Sequence, residues 1–291
     1  MDHLDDRQLL TVSFTGNVIN DFSSTTGKGV VFLNNPANVI PPSIPPQLQS
    51  LVKVSGFQVD GVALSYDPVK DELSVGVLQP DNQRTGQKVI AGDADNNLNS
   101  ATVSPAVKAV DPNFKDWPDL QADETIGVYF DLNNDGVPDI MAGVRQNPPD
   151  TDATKSLVIT KAVNTTNVTF GTEIPGYAGN IYLFNDPAHP GFEFSINNFR
   201  KLALTNFGVS LTDNSILSAG VYAEDSVDTK IGGGTFLPQA FQFGDIVRMP
   251  ESCPPVKVNP VYAGVINTLH RGVIRGHVFG TNLFDTRTID P

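Results

Sequence analysis

The sequence predicts an all-β protein, a β-sandwich of jelly-roll or immunoglobulin-like type with long loops. Three observations carry that expectation. The 22 prolines and 25 glycines are spread along all 291 residues, so they punctuate many short segments. The apolar runs between them are short and rich in Val, Ile, Tyr and Phe, the types that suit a pleated, half-buried surface. A chain of 291 residues also suffices to bury a real core, as one large β domain or two smaller ones.

Composition narrows the function. A net charge of −13 and a pI near 4.5 count against nucleic-acid binding, which depends on clustered Lys and Arg. An acidic surface suits divalent ions and solubility outside the cell. The single cysteine, Cys253, forms no intrachain disulfide, so stability must come from packing and bound ions. No apolar run approaches a membrane span, so no membrane insertion is expected. The first residues lack the basic and apolar regions of an ordinary signal peptide.

In chain order, residues 1–14 read MDHLDDRQLLTVSF. Leu4, Arg7, Leu9 and Leu10 match the short LEPR-x-LL signature found near the N-termini of large bacterial surface and extracellular proteins, with Asp5 and Asp6 replacing its Glu and Pro. The resemblance implies an exported surface protein. Residues 9–19 then give a β-prone strip, followed by the small-residue stretch SSTTGKG at 23–29. Such a strand on a flexible hinge is suited to complete a neighbour's sheet by β-strand addition. Residues 34–46, NNPANVIPPSIPP, hold too much proline for a central strand and are expected to cross an edge or end of the sandwich. Two runs, 59–66 and 73–78, joined by the Asp67-Pro68 turn, form a predicted hairpin.

Residues 100–124, with several prolines and Trp117, read as a long connection pinned by that ring. Strands are predicted at 125–130, 140–144, 157–163, 168–170, 179–184, 192–196, 202–204 and 216–223. Asn164 and Asn167 head N-x-T triplets, which are glycan acceptors where the cell has the enzyme and ordinary turns otherwise.

The chemistry concentrates in DLNNDGVPD, residues 131–139. Asp131, Asn133 and Asp135 stand at alternate positions, Gly136 permits a sharp bend, the Val137 carbonyl faces the same centre and Asp139 closes the loop. Ligands at positions one, three, five, seven and nine, with Gly at six, are the order of a Ca²⁺ loop. Position twelve is Ala142 in place of a bidentate Glu, and the flanks are β-prone, so a helix-loop-helix EF-hand is not expected. The loop resembles those of dockerin-like and FG-GAP-like repeats. The alternative is a solvated Asx-rich turn without metal. Asp93, Asp95, Asn97 and Asn99 in GDADNNLN repeat the alternation without the glycine and form a candidate second Ca²⁺ site.

The last 36 or so residues resemble the opening of a repeat of bacterial surface proteins, of pattern IDIKPGS, NxIN, GVIPVAILGT, FDVxxIDP. Residues 256–258, 265–267, 272–274, 278–281, 284–285 and 289–291 carry the match; Asn259-Pro260 and Arg275, Gly276 and His277 depart from it. In that family the module continues past IDP, so a partial module is expected here. The expected organisation is therefore a signature, donor-type strand and hinge at 1–29, a calcium-binding β-sandwich at 30–250, and a partial β module at 251–291.

No GxSxG elbow, HExxH, phosphate loop or dinucleotide fingerprint occurs, and His3, His189, His270 and His277 are never at metal-binding spacing. Glu124, Glu173 and Glu193 offer carboxylates that a glycoside hydrolase would need in pairs. The expectation is an extracellular structural subunit, not an enzyme, that assembles head to tail with copies of itself. The alternative is a Ca²⁺-dependent adhesive or carbohydrate-binding module recognising surface glycans, which exposed aromatics on one face would favour.

Overall fold

In the run GVALSYD, Val62, Leu64 and Tyr66 alternate with Gly61, Ala63, Ser65 and Asp67, so one face is large and apolar and the other small or polar. The computed structural model describes residues 12–23, 29–34, 59–79, 93, 97, 99, 102–110, 112, 124–145, 156–164, 168–183, 191–225 and 233–248. All belong to the unit Val12–Arg248. The signature residues 1–11 and the repeat-like residues 251–291 lie outside the described residues, as do Asp95, Trp117, Asn167, Cys253 and the four histidines.

The described chain is all-β, with 11 strands in two antiparallel sheets. Sheet A runs in the order β1 (Val31–Asn34), β2 (Gly61–Asp67), β3 (Glu72–Leu78), β9 (Gly191–Asn197) and β8 (Ala178–Leu183). Sheet B runs β11 (Gly233–Gln242), β10 (Ile216–Asp225), β4 (Glu124–Asp131), β5 (Ile140–Val144), β6 (Val158–Asn164) and β7 (Val168–Glu173). Each sheet combines a meander with a later hairpin, and the chain passes between sheets after β3, β7 and β9. Four short helices accompany them: α1 (Val18–Ser23), α2 (Pro105–Val110), α3 (Phe199–Phe207) and α4 (Phe243–Ile246). No helix among the described residues is long and apolar enough to cross a membrane.

One core draws on both sheets. Val62, Leu64, Val75, Val77, Phe192 and Phe194 of sheet A share it with Ile126, Val128, Phe130, Ile140, Val221 and Ala223 of sheet B. The predicted hairpin at 59–78 forms with Asp67 and Pro68 in its turn, where Asp67 Oδ1 accepts the Val69 N–H at 2.9 Å.

Two expectations are corrected, and one is refined. The donor strand expected over residues 9–19 is absent from its described part, because residues 12–17 are irregular and α1 begins at Val18. Phe22 and Val18 bury against Ala63 and Leu78 on the face of sheet A opposite the main core, and a helical turn aims both there. Residues 202–204 lie within α3, whose Phe199, Leu202 and Ala203 bury at i, i+3 and i+4. The connection at 100–124 contains α2, with Pro105 at its first position, Ser104 before it and Val107 in the main core.

Candidate functional site

The loop at 131–139 joins β4 to β5, and its two feet are driven into the core. Phe130, Leu132 and Ile140 are at most 1% exposed. Phe130 meets Phe199 edge-on at 5.9 Å, Phe199 stacks on Phe243 at 6.3 Å, and Phe243 meets Tyr66 of sheet A at 4.9 Å. Asp131, the last residue of β4, is buried and paired in register with Ser218. The Asp139 backbone bridges its neighbours, donating to Phe130 O at 2.8 Å and accepting from Ala162 N at 2.8 Å. Residues 133–137 are exposed.

Backbone N–H groups point inward at the predicted ligands. Asp131 Oδ1 accepts from Asn133 N at 3.3 Å and Asp135 N at 3.2 Å, and Oδ2 accepts from Gly136 N at 2.7 Å. Asn133 Oδ1 accepts from Asp135 N at 3.1 Å, and Asp135 Oδ1 from Val137 N at 2.9 Å. Asn133 Nδ2 donates to Asp135 Oδ2 at 3.0 Å, and Leu132 N donates to Asp139 Oδ2 at 2.9 Å. Asn134 at φ 55° and Gly136 at φ 88° provide the left-handed backbone that turns these groups inward. Burial raises the Asp139 carboxyl above its ordinary value, the Leu132 N–H opposes that, and the charges of Asp131 and Asp135 add to it.

The donor chemistry fits a hard divalent cation, since every side-chain acceptor in the loop is oxygen. A carboxylate has about four lone-pair sites, so the N–H bonds leave room for a cation. Asp131, Asn133, Asp135 and Asp139, with the Val137 carbonyl, are the residues that would hold it. Yet among the described residues no three His, Cys, Asp or Glu side chains gather as a metal cluster. The Asx-turn bonds and the backbone bonds of Asp139 both help to close the loop.

At the second predicted site, Asp93 is wholly buried and its Oδ1 accepts Asn97 N at 3.1 Å. Asn97 Oδ1 accepts Asn99 N at 2.8 Å, and Asn97 Nδ2 donates to Thr102 O. Asp93, Asn97 and Asn99 are thus linked by side-chain-to-backbone bonds, while Asp95 lies outside the described residues.

Of the three glutamates, Glu173 and Glu193 stand on different sheets. Glu173 sits on edge strand β7 of sheet B, half-exposed, 3.5 Å from Arg145. Glu193, on β9 of sheet A, is wholly buried, and its Oε2 accepts the Gly16 N–H at 2.6 Å. The side chain of Glu124 is not among those described. The sequence offers Glu193 only as one of several carboxylates on a strand and does not show that residues 12–23 cover it. The only advance signal was the glycine pattern, Gly16, Gly76 and Gly191, which admits that close cover.

Comparison with family models, curated proteins and solved structures returns no match to the chain.

Proposed function

We propose that this chain is a non-catalytic structural module of an extracellular or cell-surface protein, a β-sandwich whose loop at 131–139 is stiffened by Ca²⁺. The observation that carries the reading is the seating of that loop. Five oxygen donors in nine residues are mounted between Phe130 and Ile140, both fully buried, so anything that locks the loop also locks β4 to β5 at the centre of sheet B. An ion there would offset the Asp131 and Asp135 charges that add to the upward shift of the Asp139 carboxyl. Stiffening of a two-sheet core is a structural contribution, in keeping with an acidic chain having one cysteine.

Binding of Ca²⁺ to the native state stabilises it by mass action. Thermal melting with Ca²⁺ and with chelator, alongside titration calorimetry, tests the reading. A higher melting temperature with Ca²⁺ and one equivalent of bound ion are expected. Equal melting and no heat of binding overturn it.

Self-association is a second reading, favoured by a specific observation. Val12, Val18, Phe22, Ala63 and Leu78 form a small cluster of their own, separate from the main core, so residues 12–23 are seated without being woven into either sheet. An element held in that way, with a small-residue linker behind it, suits exchange between copies. The exchanged unit would be helix α1 on a sheet face, in place of an added strand. Sedimentation across a concentration series tests it: a monomer at every concentration excludes exchange.

A further inference from the structure

We propose that the Glu193 and Asp21 carboxyls share a proton as a latch that holds residues 12–23 on the outer face of sheet A, and that loss of this proton releases the segment.

The seat is built for the segment. Ala63, Gly76 and Glu193 stand in one register row across β2, β3 and β9. A Cβ at Gly76 would lie 2.6 Å from Val18 Cγ1 and 2.7 Å from the Phe22 ring, and one at Gly191 would lie 2.6 Å from Gly16 O. Gly16 itself has φ +88°, and a Cβ on it would lie 2.5 Å from Tyr182 Cε1. Only glycines allow this approach.

The two acids grip adjacent residues. Glu193 Oε2 accepts from Gly16 N at 2.6 Å, while Asp21 accepts from Thr15 N at 2.7 Å and from Thr15 Oγ1 at 2.9 and 2.8 Å. Glu193 is wholly buried and Asp21 is 8% exposed. Glu193 Oε1 is buried and meets no donor among the described residues. A proton on that oxygen satisfies it and is donated to the Asp21 carboxylate beside it. Two ionised carboxylates there would repel in a poorly screened site.

Among the described residues the surroundings supply no counter-charge. On β3 and β2 the row neighbours are Gly76 and Ala63, and on β8 the residue in register is Tyr182. Asp67, Glu72 and Arg248 lie beyond the intervening row of Ser65, Ser74 and Ser195, where Arg248 Nε donates to Ser65 Oγ at 2.6 Å and its charge is set against Asp67 and Glu72. Among the described residues no Lys or Arg acts on Glu193.

Burial first, then the Asp21 charge, pushes the Glu193 carboxyl up from 4.5 to about 8, against the pull of the Gly16 and Thr15 N–H groups. The docked segment therefore binds the proton more tightly than the released one. Docking is at full strength below the ordinary value of 4.5, weakens as pH rises, and is lost through about 8.

Hydrogen exchange of the full chain, followed by mass spectrometry and corrected for the intrinsic pH dependence of exchange, reads the latch directly. Protection of residues 12–23 should fall at least about tenfold between about pH 6 and about pH 9, while residues 124–131 of sheet B keep theirs. Glu193→Gln retains an acceptor for Gly16 and gains a donor for Asp21, so its protection should stay flat with pH. Asp21→Asn removes the like charge and should move the wild-type midpoint to lower pH. Flat protection in the wild type, or a wild-type profile in both variants, overturns the latch.

Discussion

The Asp71 carboxylate, in the turn between β2 and β3, accepts the backbone N–H of Arg200 at 2.8 Å across 129 residues of sequence. Its other oxygen accepts Lys201 N at 3.3 Å, and its carbonyl accepts Phe199 N at 2.9 Å. Asn198, the residue preceding α3, is in the left-handed region and makes no side-chain cap, so Asp71 serves the first turn from outside the helix. The Tyr66 hydroxyl donates to the same Oδ1 at 2.8 Å. One turn residue thus fixes α3 and a core tyrosine together.

Asp71→Ala should therefore destabilise the fold by about 2 kcal/mol, combining a lost helix cap with an unsatisfied tyrosine hydroxyl. Asp71→Asn keeps the acceptor oxygen and should cost less. Urea unfolding followed by circular dichroism checks both. Equal and negligible losses would mean that other groups cap α3.

How much of this was legible in the sequence follows the range of the interactions. Runs such as GVALSYD and IMAGV carry their β character within themselves, and they form strands where expected. Residues 202–204 read as a strand from their apolar side chains, although Phe199, Leu202 and Ala203 have helical spacing and Gly208 is a helix stop. Strand β11 was missed because Pro238 lies in it, at the irregularity opposite Ala219 to Val221, where an edge strand tolerates proline. Val18 and Ile19 are β-branched, and their helix is imposed by packing on sheet A. For the site, the order of oxygen donors in residues 131–139 was visible in full, because it is local. The burial of Glu193 was not, since it depends on Gly16, 177 residues away.

Gly143→Ala should be among the most damaging single-methyl changes in the molecule. A Cβ there would overlap the Ile126 carbonyl oxygen and lie 2.6 Å from Gly127 Cα, both backbone atoms of the neighbouring strand. Backbone cannot rotate aside as a side chain can, so a loss of roughly 2 kcal/mol or more is expected from overpacking. Differential scanning calorimetry measures it, and an unchanged transition would show that β4 and β5 pair less closely than described.

Phe243→Ala should cost about 3–5 kcal/mol, the range for a buried aromatic. Its ring links Tyr66 to Phe199 and also carries the Arg200 guanidinium, whose Cζ stands 5.0 Å from its centroid and 5.2 Å from that of Tyr66. Phe243→Leu fills much of the volume without a π face and should recover part of the loss. A leucine variant no better than alanine would mean that the ring stack, not the volume, holds the two sheets.

The loop at 131–139 offers two roles for its carboxylates, and single substitutions separate them. Asp131 is buried and accepts three backbone N–H groups, so it shapes the turn whether or not a cation is present. Asp131→Ala leaves those donors without a partner and should lower stability by about 1–3 kcal/mol even in chelator. Asp135 is exposed, and among the described residues its carboxylate is bonded by the neighbouring Val137 N–H and Asn133 amide. In chelator, Asp135→Ala should change stability by less than about 0.5 kcal/mol, as surface changes do. With Ca²⁺ added, the wild type should gain stability and Asp135→Ala should gain much less, because a ligand charge is gone. Melting curves of three proteins in two buffers therefore give a pattern with one cell that only metal binding can produce. If Asp135→Ala and the wild type respond alike to Ca²⁺, the alternating carboxylates are there to build the turn alone.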